Sequence, residues 1–476
     1  MDDDFSARYT TSRLQKLSIV VAVAFLVCGL VFPPPADLSR EALITLGVFG
    51  FGLVLWQSKA IPLVATSLLV VGLLYAFGVT ESFQAATIGF ASTLFFFFFT
   101  ILLLGHSISK VDLDAHVAQR LLETSTTPQT SLHQLGKYLL VMAFVVPSGL
   151  ARIVSFTPVI EKVGERYGLG RDAEFTTASF LVLGQLNPMM SIMLMTGGGI
   201  SIIGSQLIDT AGYPITWTEW ALYMIPPTLI VFGLGFAAIT KLHPPRTNAS
   251  QLPDTNHRDT SQSQLNRDQR IVAIVMGVTL LLWAVGSFVG LPTVLPAILA
   301  VAALSAPYVQ VLTVEDFAEI SWGILFLIGA MLSLIEVLEE TGAFEWLIDG
   351  ISMAFPFDAV GSVGVVALLI AIVVIVRLLF PNASTSLIVL MPMIISFGQL
   401  YDVNVLYLSL SVVITVGSTA LLPIHMPPAL LAYNAGYVSI RDVFGYGLVM
   451  MAAAVLSICF AWTIYWPILE HALLQP

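Results

Sequence analysis

The chain has 476 residues, of which 57% are hydrophobic and only 10% are charged, with a mean hydropathy of +0.90. Uncharged stretches of about 18 residues or more recur along it, which excludes a soluble globular domain and identifies a polytopic helical membrane protein. The net charge of −11 does not imply a basic partner, because in such a protein the placement of charge matters more than its sum, and no nucleic-acid partner is expected.

The opening MDDDFSARYTTSRLQK is polar and has no A-x-A-like cleavage site, so no signal peptide is expected. Spans are expected near 17–33, 42–57, 61–77 and 87–107, followed by an amphipathic stretch near 108–124. The Phe-rich run Leu94 to Thr100 within the fourth span is read as a lipid-facing or packing element. A helical hairpin follows at about 137–165, its tip at Pro147-Ser148. The next span, 175–208, is interrupted by TGGGIS at Thr196–Ser201, and another covers 220–241. Leu242 to Arg270 is polar and poor in bulky apolar residues, so it is read as a solvated linker.

The second half repeats the order. Spans are expected near 271–289, 293–309 and 321–338, then an amphipathic piece, ETGAFEWLIDGIS. A second hairpin is expected at about 360–397, its tip at Pro381-Asn382. A span at 405–433 is interrupted by LLPIHMPPA, Leu421–Ala429, and the last span is 446–467. Cys28 and Cys459 lie in apolar spans without disulfide or metal spacing and are read as buried packing groups.

The two hairpin tips are the most informative segments. PSGLARIVSFTP (Pro147 to Pro158) and PNASTSLIVLMP (Pro381 to Pro392) both open with Pro plus a small polar residue and close with Pro at the same spacing. In hydrocarbon every backbone polar group must be satisfied, so broken helices occur only inside protein or against a cavity. A matched pair, one per half, is the mark of an inverted-repeat transporter with its site between the breaks. The expected fold is therefore an all-α polytopic membrane protein, an inverted repeat of about 11 transmembrane helices and two re-entrant helical hairpins. Its segments are scaffold helices in 1–125, first hairpin and transport helices in 126–241, a cytoplasmic linker in 242–270, scaffold helices in 271–358, and second hairpin and transport helices in 359–476.

Basic residues agree with that topology. With a cytoplasmic N-terminus and an outer C-terminus in the cell (inner) membrane, all 19 fall inside except Arg40, which falls outside, and Arg152 and Arg377, which fall within the hairpins. The outer loops carry Asp209, Glu219, Glu339, Glu340, Asp358 and Asp402 instead. This also puts the two hairpins on opposite sides, as an inverted repeat requires.

Broken helices direct amide N–H groups at anions and carbonyls at cations. Arg152 lies just past the first tip; its fork matches a carboxylate, and a charge inside a membrane usually faces a cavity with a partner. The alternative is a structural pair with a carbonyl or a hairpin-base acid. Arg377 has three readings: a second carboxylate clamp, a tethered cation in place of a mobile one, or an arginine snorkelling to the outer face. His425, in the second break, is either a titrating group or a satisfied structural residue.

These residues resemble the divalent anion:sodium symporter family, carriers of dicarboxylates, citrate and sulfate. That family has a Ser-Asn-Thr type motif at each tip, ending at a Pro ten residues after the Ser, and Ser148 to Pro158 has that spacing. MPPALLAYNAGYVSIRDVFGYG, from Met426, resembles the family's TPPN segment with its following GY, D and G. SWGILFLIGAMLSLIEVLEETGAFEWL, from Ser321, resembles its ninth span and amphipathic helix. The resemblance implies a homodimer with a static scaffold and a mobile transport domain. It implies cargo held by Ser148, Arg152, Asn382, Ser384, Thr385 and Arg377. It further implies sodium, as coupling ion and with no other cofactor, held by Ser148, Gly149, Gly198, Gly199, Asn382 and Ala383. The chain departs at the first tip, where Gly149 and Leu150 stand for Asn and Thr. At the second tip the preferred register gives Asn382 the Asn position, with one extra residue before Pro392; without that shift Asn382 takes the Ser position. In the preferred register Arg377 stands where the family has a small hydroxyl residue near sodium.

The expected function is secondary active transport of di- or tricarboxylates or sulfate by an elevator-type mechanism coupled to a cation, with weakened sodium dependence. The alternatives are a sodium-independent dicarboxylate exchanger and a sodium/proton or metal-ion antiporter of related fold. The absence of a carboxylate in the middle of any expected span counts against the antiporter. No cluster with metal or nucleophile spacing suggests an enzyme.

Overall fold

The computed structural model describes residues 13–35, 37–116, 118, 127–146, 148–245, 265–355, 357–380 and 382–474. Pro147 and Pro381, the polar start of the chain, part of the 108–124 stretch and most of the linker lie outside them. The described residues are helical, with no strand among them, and eight helices are long and apolar enough to cross a membrane. The protein is thus a multi-pass helical membrane protein. Its outer surface is apolar, with Leu281 61%, Ile375 61% and Val363 85% exposed, which fits a chain whose solvent is lipid.

The chain divides into two compact units, Met1–Phe99 with Ser321–Ala359, and Thr100–Ile320 with Val360–Pro476. In the first unit, helices Arg13–Val31 and Arg40–Ser58 pack through glycine, a Cβ on Gly29 reaching within 3.0 Å of the Gly47 Cα. Such close backbone approach is the usual packing device where lipid removes the hydrophobic drive between helices. Helix Trp322–Glu340 joins the same unit, and Ser333 accepts at 2.9 Å from the Gly89 N–H. Of the Phe run, Phe96 is exposed while Phe97 and Phe98 are buried.

The second unit holds both hairpins. The first pairs Pro128–Val145 with Gly149–Arg166, and the second pairs Ser362–Leu379 with Ala383–Leu400. Thr127, with Thr130, forms the capping box that starts the first hairpin, and Asn266, with Gln269, starts the helix after the linker. The first broken span is irregular well before TGGGIS. Helix Glu174–Leu181 passes into a π turn at Val182–Leu186, a short turn Asn187–Met190 and a 3₁₀ turn Ser191–Met193, and helix Gly199–Thr210 follows the break. The second broken span runs Val405–Ser418, breaks, makes a 3₁₀ turn at Pro423–His425 and resumes at Pro427–Asn434. The last span runs from Ile440 through a π turn at Ala461–Tyr465 to Leu474, longer than its apolar run suggests. Cys28 and Cys459, expected to be buried, are exposed. A thiol on a lipid-facing helix needs no cover from protein, because it behaves as a small hydrophobe.

Candidate functional site

Ser148 ends the first tip's extended backbone and caps helix Gly149–Arg166, its Oγ accepting from the Ala151 N–H at 3.2 Å. The tip rests on the first broken span. A Cβ on Gly149 would lie 3.2 Å from the Cα of Pro188, and the Gly149 carbonyl accepts from Asn187 Nδ2 at 2.8 Å. Glycine here is therefore a matter of close approach. One turn on, Arg152 is fully buried. Its Nη2 donates to the Asn187 carbonyl at 3.2 Å and to Ser191 Oγ. Its Nε and Nη1 have no partner among the described residues. Ser191 also backs the TGGGIS break: a Cβ on Gly197 would lie 2.2 Å from the Ser191 carbonyl, which accepts from Ser201 Oγ at 3.3 Å.

The second tip is built alike. Asn382 caps helix Ala383–Leu400, its Oδ1 accepting from the Ser384 N–H at 2.8 Å. Ser148 and Asn382 are thus both N-caps, each ten residues before a proline inside its helix. As caps, Asn382 and Ser148 are alike, the equivalence that the unshifted register gives them. Thr385 is buried, and no described residue holds the Ser384 or Thr385 side-chain hydroxyl. Arg377 is fully buried at the end of Ser362–Leu379 and does not reach the surface. Its Nε donates to the Val416 carbonyl at 3.4 Å, Nη1 to Phe380 at 2.5 Å and Nη2 to His425 at 2.8 Å. His425 gives its carbonyl, while its ring Nδ1 accepts from the Leu422 N–H in its own turn.

No hydrogen bond among the described residues joins the tips directly; they meet through the broken spans. Gly417 and Ser418 pack on Met189 and Ile192, and Ser418 Oγ donates to the Met189 sulfur at 3.1 Å. Gln185, in the π turn, donates through Nε2 to the carbonyls of Ala420 and Val443, each at 2.9 Å. Sequence reasoning passed over Gln185, Asn187 and Ser191. The signal was there as three polar side chains and a proline in QLNPMMS, inside an apolar span, and π turns inside helices often mark functional sites.

The candidate cation oxygens already take part in protein bonds. Gly198 O accepts from Ser201 Oγ at 2.9 Å and Ala383 O from Ser386 Oγ at 2.8 Å, while Gly199 opens the helix after the break. Gly198 O also accepts from the Ile202 N–H at 3.1 Å, so both of its lone pairs are engaged. Among the described residues no carboxylate pairs with Arg152 or Arg377. Buried Asp114 instead accepts from Ser155 Oγ on the first hairpin at 2.6 Å. Two buried cations without acids make an electropositive interior that an anion would stabilise.

The sequence profile of the sodium:sulfate symporter transmembrane region matches residues 12–472. The chain is similar to an uncharacterized transporter of Haemophilus influenzae, 25% identical over 88% of this chain and 91% of the other. It is also similar to the putative malate transporter YflS of Bacillus subtilis, 24% identical over 72% and 73%. The sodium-dependent dicarboxylate transporter SdcS of Staphylococcus saprophyticus is 20% identical over 97% and 93%. These relatives are transporters and not enzymes. With its all-helical architecture and a match that spans nearly its whole length, the chain belongs to the sodium:sulfate symporter family of membrane transporters.

Proposed function

We propose that the protein is a secondary carrier of di- or tricarboxylates, with sulfate as the inorganic counterpart, working by elevator-type alternating access. The observation that carries this is Arg152, fully buried, tied to the first break through Nη2, with Nε and Nη1 unpartnered among the described residues. The free N–H groups of Nε and Nη1, on different edges of the guanidinium, can each donate to an anion oxygen. The names of YflS and SdcS support a dicarboxylate cargo. In this reading Ser148, Asn382, Ser384 and Thr385 complete the anion's donors. The hairpins and broken spans, which lie in one compact unit, travel together with the cargo, and two copies form the working dimer. The basic-residue asymmetry supports a cytoplasmic N-terminus and an outer C-terminus.

Coupling has two readings. SdcS is sodium-dependent by name, which supports Na⁺ held at the first tip by Ser148, Gly149, Gly198 and Gly199. Sodium-independent exchange is the second reading, favoured by the carbonyl contacts of Arg377. Uptake of labelled succinate into proteoliposomes, with and without a sodium gradient, separates them. Gradient-driven accumulation supports symport. Uptake only against internal dicarboxylate supports exchange, and no uptake under either condition contradicts the carrier reading.

A further inference from the structure

The two buried arginines are used differently. Arg152 keeps two nitrogens without a partner among the described residues, whereas every nitrogen of Arg377 donates to a backbone carbonyl. Those carbonyls have a common origin. Val416 lies in the last turn of helix Val405–Ser418, and Phe380 directly follows helix Ser362–Leu379. The last carbonyls of a helix lack intrahelical partners and carry the negative end of its dipole. His425 adds a third carbonyl from the 3₁₀ turn inside the break. Phe380 and His425 are buried. Carbonyls converging from unwound backbone and helix C-termini inside a membrane are what a small cation needs in place of water.

We propose that Arg377 is a resident cation: its guanidinium permanently fills the cation site of the second hairpin, and that site takes no exchangeable sodium. The inference rests on the reading that the hairpins carry a dianion. The guanidinium neutralises the same carbonyls that an ion would, but it cannot dissociate. No sodium gradient is drawn on there, and each dianion travels with one mobile cation fewer. With Arg152 it also places two fixed positive charges against a cargo of two negative charges.

The test uses purified full-length protein and reads two quantities. One is the initial uptake of labelled succinate against Na⁺, balanced with choline. The other is melting temperature in the same buffers without succinate. The unmodified protein is expected to show a sodium response with a Hill coefficient no higher than about 1. Arg377→Ser empties the site. Its uptake without sodium should fall at least about tenfold, the equivalent of one lost charge-assisted contact. That uptake should recover as sodium rises, and the melting temperature should rise with Na⁺ more than that of the unmodified protein. Arg377→Lys keeps a fixed charge and should follow the unmodified protein. Cooperative sodium activation of the unmodified protein overturns the proposal, and so does an identical sodium response in it and Arg377→Ser. If Arg377→Ser does not fold, the unmodified curve decides alone. If nothing transports succinate, the cargo reading has failed, and the melting comparison still decides the cation site.

Discussion

At the scale of single residues, the account turns on what Arg152 does with its free nitrogens. A buried guanidinium that served only the fold would be saturated, as Arg377 is; Arg152 ties itself down through one nitrogen. Losing charge-assisted contacts to cargo from two nitrogens removes about 1.5–3 kcal/mol per hydrogen bond, so Arg152→Ala should lower uptake at least ~100-fold. Its melting temperature should stay within a few degrees of the unmodified protein, because only the two hydrogen bonds of Nη2 to the break are lost. Arg152→Lys keeps the charge but not the fork and should recover little of the activity. Normal uptake in Arg152→Ala, or loss of the folded protein, would remove the substrate role. Both arginines were legible in the sequence, as the basic residues within five positions of the two tips. Their partners were not. Asn187 and Ser191 stand 35 and 39 positions from Arg152, and His425 stands 48 from Arg377; only packing brings them together. At the second tip Pro381 marks the motif in the sequence, whereas the helix starts from the Asn382 side chain.

At the scale of elements, the breaks depend on close backbone contact. A Cβ on Gly197 would meet the Ser191 carbonyl at 2.2 Å, whereas one on Gly233, inside helix Trp217–Leu242, would meet nothing within 4 Å. Gly197→Ala should therefore destabilise by about 1–3 kcal/mol through forced backbone shifts. Gly233→Ala should be neutral or stabilising by up to ~1 kcal/mol through helix propensity. Melting curves of the two variants check this, and equal melting temperatures would contradict it. A second element-level device lies at helix Val314–Glu319, outside the spans. Burial opposes ionisation of Asp316, but Lys110 Nζ at 2.6 Å, the Thr313 N–H and hydroxyl, and His106 Nε2 at 2.9 Å hold its carboxyl well below the usual carboxylate range. A carboxyl depressed in the fold stabilises above its ordinary pKa, and that contribution is lost as pH falls through the lower folded value. Asp316→Asn should thus cost about 1–3 kcal/mol near neutral pH, the worth of hydrogen bonds to a charged group. The gap between its melting temperature and that of the unmodified protein should close as pH is taken below the ordinary carboxylate range. A gap that ignores pH would contradict the assignment. That the chain breaks in these spans was readable from Gly and Pro inside apolar runs. Where it breaks was less so: the π turn at Val182–Leu186 contains neither Pro nor a glycine pair, and Pro188, which cannot bond the Gly184 carbonyl, lies two residues beyond it.

At the scale of the whole molecule, the order of elements is the same in each half: hairpin, broken span, long helix. That order was legible because apolar length and helix breakers encode it directly. It places the two buried arginines and both hairpin tips in one compact unit, and this charge pattern favours an anion as cargo. The most direct measurement is uptake of labelled succinate by the purified protein in proteoliposomes, with unlabelled di- and tricarboxylates and sulfate as competitors and Arg152→Ala in parallel. The account predicts saturable uptake that at least one other dianion competes away and that falls ~100-fold in the variant. Absence of uptake and of competition by every anion, in a protein whose melting temperature rises only with metal cations, would contradict it.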